Sequence, residues 1–489
     1  MILALQALPL LLLIGLLFSG RVAPVPAVLA ALAAAIPAAF VSLPGSIGLP
    51  GFLAEQILRG AYLALQPMGV VLAGLLFYAA VSGAEGTQDQ APATARRVFI
   101  ATLLLGTFME SVTGFAVGAV FALATLRGMG VIGAPAGAMA LLALCLIPWG
   151  GLGPGSLLGA ALIGLPAQDI LRITALPNAL WLLALGPVLW RLCSAAGLAV
   201  SAAEKRAQMG YLLAVALLLV TCHWLLPFEV IGVIATGLPL VFALWRLAPP
   251  QDAAAWRKAM AHLAPYALLT VALLAARAVP SPPAWQPFGD LPAFPVTHVS
   301  LVLGAVALLL LARRAGALGL AQGAIKRAAR PALIMLLYVL LARWMSESGA
   351  TAALAREAAA ALGPLAPYAV PPLGLMAGIV TGTNVGSNAA VMPVQYKLGL
   401  AAGLPPVLAP GVHNFVGAAG AGMSFAVTGM ICSSLADGTK PVQLWRLLWP
   451  SWAAVLLLGW AAMAIFSCGL ASGAKAAPFE AKKLEGGLL

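Results

Sequence analysis

The stretch Val380-Thr381-Gly382-Thr383-Asn384-Val385-Gly386-Ser387-Asn388 decides how the rest of the chain is read. It carries five small polar side chains and two glycines inside a long apolar region. Hydrocarbon offers no hydrogen bonds to bare backbone. Irregular polar chain at membrane depth therefore persists only where protein packs around it or where it lines a cavity.

The surrounding composition sets that context. Of 489 residues, 62% are hydrophobic and 8% are charged, whereas soluble domains carry roughly 25% charged residues. The apolar runs are long and rich in Leu and Ala, unlike the alternating segments of about 10 residues in a transmembrane barrel. The fold class is therefore an all-α polytopic membrane protein. At about 20 residues per crossing, the length allows about 12–14 transmembrane helices. The net charge of +12 comes from Lys and Arg in loops beside apolar runs, which fits the positive-inside rule and a lipid bilayer partner better than nucleic acid. The cysteines Cys145, Cys193, Cys222, Cys432 and Cys468 are dispersed, with no CxxC and no His at ligand spacing, and read as small buried hydrophobes. The first apolar run, Ile2 to Ser19, has no basic residue before it and no clear cleavage site after it, so it reads as a retained span.

Charge and proline breaks place spans at about 2–19, 25–43, 61–82, 98–125, 131–165, 173–190, 209–226, 228–246, 263–279, 298–312, 331–346, 367–400, 407–435 and 447–467. Four of these are interrupted: at Glu110–Gly114, at Pro148–Gly155, at the opening stretch, and at His413-Asn414 with the glycines that follow. The basic loops Arg96/Arg97, Lys205/Arg206, Arg246/Arg257/Lys258 and Arg313–Arg330 fall on one face, taken as cytoplasmic, and the Pro-rich loop from Pro280 to Pro295 falls on the other. The polar loop with Glu85 and Asp89 belongs to the first face. The tail with Lys475, Lys482 and Lys483 counts to the outer one, against the rule.

The interruptions repeat. Thr113-Gly114 is followed after 37 residues by Gly150-Gly151, and Thr381-Gly382 after about 36 by the Gly417–Gly422 run. An offset of 268 between the Thr-Gly pairs carries the span 61–82 onto 329–350 and 173–190 onto 441–458. The chain divides into a first repeat over 1–205, a two-helix linker over 206–262 and a second repeat over 263–489, within one integral membrane domain. The charge rule makes the repeats inverted, because 61–82 ends at a basic loop and 331–346 begins at one. Inverted repeats with broken or re-entrant segments in matching positions point to a secondary transporter with its substrate between the repeats.

Several residues are candidates for chemistry. Glu110 lies in the middle of an apolar run, where an ionisable group costs about 2.5–3.5 kcal/mol on insertion scales. It reads as a proton-coupling carboxyl, or else as a residue facing an interface or paired with an arginine. Thr381, Gly382, Thr383, Asn384, Ser387 and Asn388 form a donor-rich, uncharged set suited to an anion at a half-helix N-terminus. The bland alternative is a polar helix–helix contact. Ser111, Thr113 and Gly114 are their counterparts in the first repeat. His413 is a second coupling candidate because imidazole titrates near neutrality, and Asn414 beside it completes the binding set. Arg343 reads as a snorkelling side chain near the end of its span. No Walker loop, HExxH, GxSxG or paired Cys/His set is present, so no enzyme, cofactor or metal is expected.

These residues resemble the lactate permease family of bacterial secondary transporters. Phe108-Met109-Glu110-Ser111-Val112-Thr113-Gly114-Phe115 is like the family's F-x-E-G-x-x-G-F, and Gly382-Thr383-Asn384-Val385-Gly386-Ser387-Asn388-Ala389 is like its G-[ST]-[DN]-T-S-S-N-A. The Gly-Pro-rich run from Pro148 to Ser156 and the stretch from Asn414 to Met423 add to the likeness, which covers nearly the whole chain. The resemblance implies uptake of lactate, glycolate or a related monocarboxylate with H+ across a bacterial inner membrane. The chain departs from the family where Gly422 and Phe425-Ala426-Val427 stand in place of a Lys and a Ser-Pro-Gln, where Ser111 replaces a Gly, and where Val385-Gly386 replaces Thr-Ser. Loss of that cation bears on which organic anion is carried. Sodium-coupled carriage of another organic anion is the alternative, and a membrane-embedded enzyme or channel a more distant one.

Overall fold

A chain this apolar has to satisfy its backbone internally, and it does so almost entirely with helices. In the computed structural model the described residues are 1–81 and 92–473, with side chains described as far as 465. The loop acids Glu85 and Asp89, the side chain of Cys468 and the tail lysines lie outside them.

The helices run α1 (Ile2–Phe18), α2 (Pro24–Ser42), α3 (Leu49–Val81), α4 (Ala95–Phe99), α5 (Thr107–Thr113), α6 (Val117–Gly128), α7 (Gly133–Leu141), α8 (Pro154–Ile163), α9 (Ala167–Ala195) and α10 (Ala202–Thr221). They continue as α11 (Phe228–Leu247), α12 (Ala253–Arg277), α13 (Val299–Leu311), α14 (Ala317–Glu347), α15 (Ala350–Leu362), α16 (Val370–Thr381), α17 (Asn384–Ala401), α18 (Leu408–Gly422), α19 (Phe425–Leu435) and α20 (Pro441–Gly473). A π-helical segment, Ile100–Gly106, joins α4 to α5. A two-stranded antiparallel hairpin, β1 (Ala284–Trp285) and β2 (Phe294–Pro295), lies between α12 and α13. The protein is thus an all-α, multi-pass membrane protein. Among the described residues, ten helical stretches are long and apolar enough to cross a membrane. Of the shorter apolar helices, α6, α7 and α8 come from interrupted spans, whereas α1 and α13 are whole spans of fewer than 18 residues, so the long helices number fewer than the 12–14 crossings expected.

Several helices are longer than hydropathy suggested, α3 and α14 most of all at their starts. The helix expected over 61–82 begins at Leu49, and the one over 331–346 begins at Ala317. Both extensions carry charge that ends an apolar run without ending a helix. On α3, Glu55 and Arg59 pair at one-turn spacing, 2.8 Å apart. Arg343 is corrected outright. It is buried rather than snorkelling, placing Nε and Nη2 3.0 and 2.6 Å from Gln56 Oε1 and Nη1 3.1 Å from Glu347. The polar side of α3 thus supplies the acceptor that a buried guanidinium needs. Helix α15 lies in a stretch where no element was expected.

Some of the loops are held by contacts with neighbouring elements. Arg59 of α3 reaches Asp290 in the hairpin loop at 2.7 Å, and its guanidinium holds that carboxyl below the usual carboxylate range. The Tyr62 hydroxyl lies 2.9 and 2.8 Å from the Trp285 and Pro292 carbonyl oxygens, so α3 carries the hairpin. Elsewhere Arg96 pairs with Glu204 at 2.7 Å, and Arg191 donates to the Leu447 carbonyl.

The last interruption is also moved. His413, Asn414 and the glycines after them do not break the chain; α18 runs straight through to Gly422, and the break falls at Met423-Ser424. The glycines serve packing instead. A Cβ on Gly378 of α16 would lie 1.9 Å from the Gly417 carbonyl oxygen of α18, and one on Gly420 would lie 2.3 Å from that of Leu375. Small residues let two helices approach at backbone distance, the usual means of association where lipid removes the hydrophobic drive. Gly378→Ala therefore forces these helices apart, and its thermal midpoint in detergent should fall by several degrees. Gly210→Ala on α10, where a Cβ meets nothing within 4 Å, should leave the midpoint unchanged or raise it.

Candidate functional site

Chain breaks build the site. The first follows α5: Gly114, Phe115 and Ala116 hold φ of 68°, 57° and 61° before α6 starts. Left-handed backbone costs a non-glycine residue about 1–2 kcal/mol, so Phe115 and Ala116 are held there by what surrounds them. Gly114 meets Gly151 so closely that an added Cβ would sit 3.1 Å from the Gly151 Cα. Gly151, Leu152 and Gly153 are also left-handed, and α8 begins directly after them. The break in the opening stretch follows α16. Gly382 has φ 74°, Thr383 is extended, and Thr383 Oγ1 accepts from Gly386 N at 2.9 Å to cap α17. Ser424 caps α19 in the same way, through Val427 N at 3.2 Å.

The breaks surround a cavity of about 230 Å3, below the roughly 300–1,000 Å3 of drug-sized sites. The N-terminal ends of four helices contribute to its wall: Ala116 at α6, Pro154 and Gly155 at α8, Thr383 to Val385 at α17, and Ala426 and Val427 at α19. First-turn N–H groups have no intrahelical partner and carry the positive end of the macrodipole, so these ends favour negative charge in the cavity. Leu144, Ile147 and Met430 make the rest of the wall apolar. Glu110 is the one ionisable side chain in this wall.

Of the expected site residues, Glu110, Gly114, Gly382, Thr383 and Asn384 line the cavity. Glu110 is 3% exposed and pairs with no arginine among the described residues. Its Oε1 accepts from Ala116 N at 3.2 Å and its Oε2 from Gly118 N at 3.1 Å, so the carboxylate caps α6. Asn388 and Asn414 sit behind the wall. The Asn414 Oδ1 accepts from Asn384 Nδ2 at 3.1 Å and Asn388 Nδ2 at 2.9 Å, while its Nδ2 donates to Ser156 Oγ at 3.0 Å and Thr174 Oγ1 at 3.3 Å. This one amide ties α8, α9, α17 and α18 together.

The rest lie apart from the cavity. Ser111, Thr113 and Thr381 spend their hydroxyls on carbonyls one turn back, at Thr107, Met109 and Ala377. Ser387 and His413 meet at 3.3 Å, and His413 Nδ1 lies 2.9 Å from Gln395 Oε1. Because Gln395 donates its own amide to the Val370 carbonyl, its Oε1 is an acceptor and the imidazole carries hydrogen on Nδ1. Sequence reasoning gave no role to Thr174 and Gln395, isolated polar residues in apolar helices with no motif around them. Ser156 was seen only as the end of a Gly-Pro run.

The amide donors expected to cradle an anion are largely spent. Both Asn388 Nδ2 and Asn384 Nδ2 are engaged within the protein, while the Oδ1 atoms of Asn384 and Asn388 have no partner among the described residues. Of these two residues only Asn384 lines the cavity, and its Oδ1 is itself buried. No group of three or more His, Cys, Asp or Glu suited to a metal occurs among the described residues.

No family model matches the chain, and no curated protein matches it. Among solved structures, the chain is similar to that of the YdaH transporter of Alcanivorax borkumensis, described as having an unusual topology. The two share 16% identity over 86% of this chain and 87% of the other, with a TM-score of 0.43.

Replacing Asn414 leaves the amides of Asn384 and Asn388 short of an acceptor. Each buried polar group so stranded costs about 1–3 kcal/mol. Asn414→Leu should therefore lower the thermal midpoint, and do so more than Asn384→Leu, which strands no donor at the hub because Asn414 Oδ1 keeps those of Asn388 and Ser156.

Proposed function

We propose that the protein is a proton-coupled secondary transporter of a small organic monoanion, lactate- or glycolate-like, in a bacterial inner membrane. The observation that carries this reading is a cavity ringed by helix N-termini whose one ionisable side chain is a buried carboxyl. Helix N-termini suit a carboxylate, and Glu110 suits the proton that travels with it. With no Lys, Arg or His in the wall to neutralise a second charge, a monoanion with one proton fits better than a dianion. The apolar part of the wall, with Ile147 and Met430, suits a short hydrocarbon tail. The motif resemblance to lactate permeases points the same way.

An inverted repeat over 1–205 and 263–489, joined by α10 and α11, fits the packing. Helix α3 lies on α13 as α14 lies on α2, and α9 lies on α18 as α20 lies on α7. The cavity then falls between matching breaks of the two repeats, where alternating-access carriers place their substrates. Thr381, Ser387, Asn388, Asn414, Ser111 and Thr113 support the site from behind, and His413 holds Ser387 rather than touching the cargo.

One observation favours a second reading. The vacant Oδ1 atoms of Asn384 and Asn388 are acceptors, the kind of group a hard cation takes, so sodium coupling is the competing scheme. Uptake of radiolabelled lactate into proteoliposomes separates the two. An inward proton gradient alone should drive accumulation, and Glu110→Gln should abolish it while leaving lactate exchange across the membrane. Accumulation driven by a sodium gradient alone would assign the coupling to the asparagines. Lactate that is neither accumulated nor exchanged, by protein that is folded, would sink the transport reading.

A further inference from the structure

The N-terminus of α6 already holds a carboxylate, that of Glu110. Oxygen Oε1 takes the Ala116 amide and Oε2 the Gly118 amide. The backbone turns left-handed through Gly114, Phe115 and Ala116 to aim those amides at it. Glu110, Gly114, Phe115 and Ala116 all face the same cavity as the α17 N-terminus, so a carboxylate entering that cavity meets a helix end that a tethered carboxylate is occupying. A second feature points the same way. Asn384, 6% exposed and in the same wall, keeps an Oδ1 with no donor among the described residues.

Resting on the transport reading above, we infer that the α6 N-terminus is a carboxylate site which ionised Glu110 closes and protonated Glu110 opens. Proton binding turns one Glu110 oxygen from an acceptor into an O–H donor. That group no longer suits two N–H donors, and Asn384, a residue of the same wall, holds a buried Oδ1 that has no donor among the described residues. The amides of Ala116 and Gly118 are then free for the carboxylate of the cargo. Proton and anion thereby enter in order, with no change of net charge in the cavity, and release of the anion is completed by Glu110 returning to α6.

Other titratable groups leave this exchange to Glu110. Cys145 lies next to it but is bonded to Thr107 Oγ1 at 3.5 Å. On the elements packed against α5, the charged groups are bound elsewhere: Arg127 of α6 to the Ser434 carbonyl, Glu229 of α11 to Arg277, and Arg59 of α3 to Asp290 and Glu55. Arg246 ends α11 at the far side of the membrane from Glu229. Tyr62 bonds the hairpin, Tyr266 meets Met109 and Phe108, and His223 meets Trp149 from behind.

The test is lactate binding to the purified wild-type protein, with proton uptake read by calorimetry in buffers of different ionisation enthalpy. Above the titration of Glu110, affinity should fall about tenfold per pH unit, with about one proton taken up per lactate bound. Glu110→Gln should bind lactate with no pH dependence and no proton uptake. A local readout comes from the sequence. Val-Gly steps occur at 117–118, 385–386 and 416–417, so 13C-carbonyl Val with 15N Gly labelling isolates the Gly118, Gly386 and Gly417 amides in solid-state NMR. Lactate should shift Gly118. Binding without proton uptake, or with Gly118 unmoved while Gly386 shifts, overturns the inference and leaves the transport reading standing, and the wild-type measurements decide this even if Glu110→Gln does not fold. No lactate binding at any pH overturns both.

Discussion

The constraint on which this structure depends is that its chain breaks lie inside an apolar helical bundle, where hydrocarbon cannot finish their hydrogen bonds. Each break frees backbone groups, and inside an apolar bundle every one must find a substitute. The solutions here are few and local. Thr383 and Ser424 cap the helices they precede, and Glu110 reaches forward to cap α6. The glycine-lined contact between the first break and Gly151 presses backbone against backbone, leaving no room for solvent there. What is left over, the open first turns of half-helices, is turned toward one cavity. The anion-favouring character of that cavity follows from the breaks themselves and needs no basic side chain.

Behind the wall, rigidity comes from a different source. Asn414 gathers amides and hydroxyls from three neighbouring helices, and Gln395 with His413 links α16, α17 and α18 through oriented hydrogen bonds. A buried polar network is costly when incomplete and specific when complete. Here every donor nitrogen and hydroxyl has at least one partner. The two asparagine Oδ1 atoms left without partners among the described residues are both on α17, and of the two residues Asn384 lines the cavity while Asn388 lies behind it. His413 sits between Gln395 and Ser387 and joins α18 to α17.

How far the sequence could be read depended on whether an interaction is local. Hydrophobic runs marked the membrane class and most helices, because burial in lipid acts residue by residue. The breaks at Gly114 and Gly382 were legible because a Thr-Gly step followed by polar residues is unusual chain inside an apolar run. The starts of α3 and α14 were not, since Glu55, Arg59 and Lys326 end an apolar run while leaving helix propensity intact. The glycines of α18 misled for a related reason. Gly417 makes room for Ser387 of α17 and Gly420 for the backbone of α16, contacts between helices that no local pattern marks, whereas the actual break at Met423-Ser424 carries little local signal. Thr174 and Gln395 entered the network only through such distant partners, and Arg343 found Gln56 in the same way.

The two broken helices solve one problem with different chemistry, and that difference bears on coupling. In the proposed repeat register, Phe115 stands where Thr383 does, and Glu110 where Gly378 does. Thr383 caps its own helix with a hydroxyl that has no charge to lose. Phe115 has no polar atom, so α6 must be capped from within α5, and Glu110 is the residue that does it. The second repeat cannot copy that arrangement, because any side chain at Gly378 would collide with the Gly417 carbonyl. One repeat thus holds a fixed cap and the other a cap that depends on protonation. A frame with matching halves but unlike caps gives the cavity a permanent anion-favouring face at α17 and a conditional one at α6. A carrier that must bind its anion only in company with a proton needs that combination, and two fixed caps or two titrating ones would not supply it.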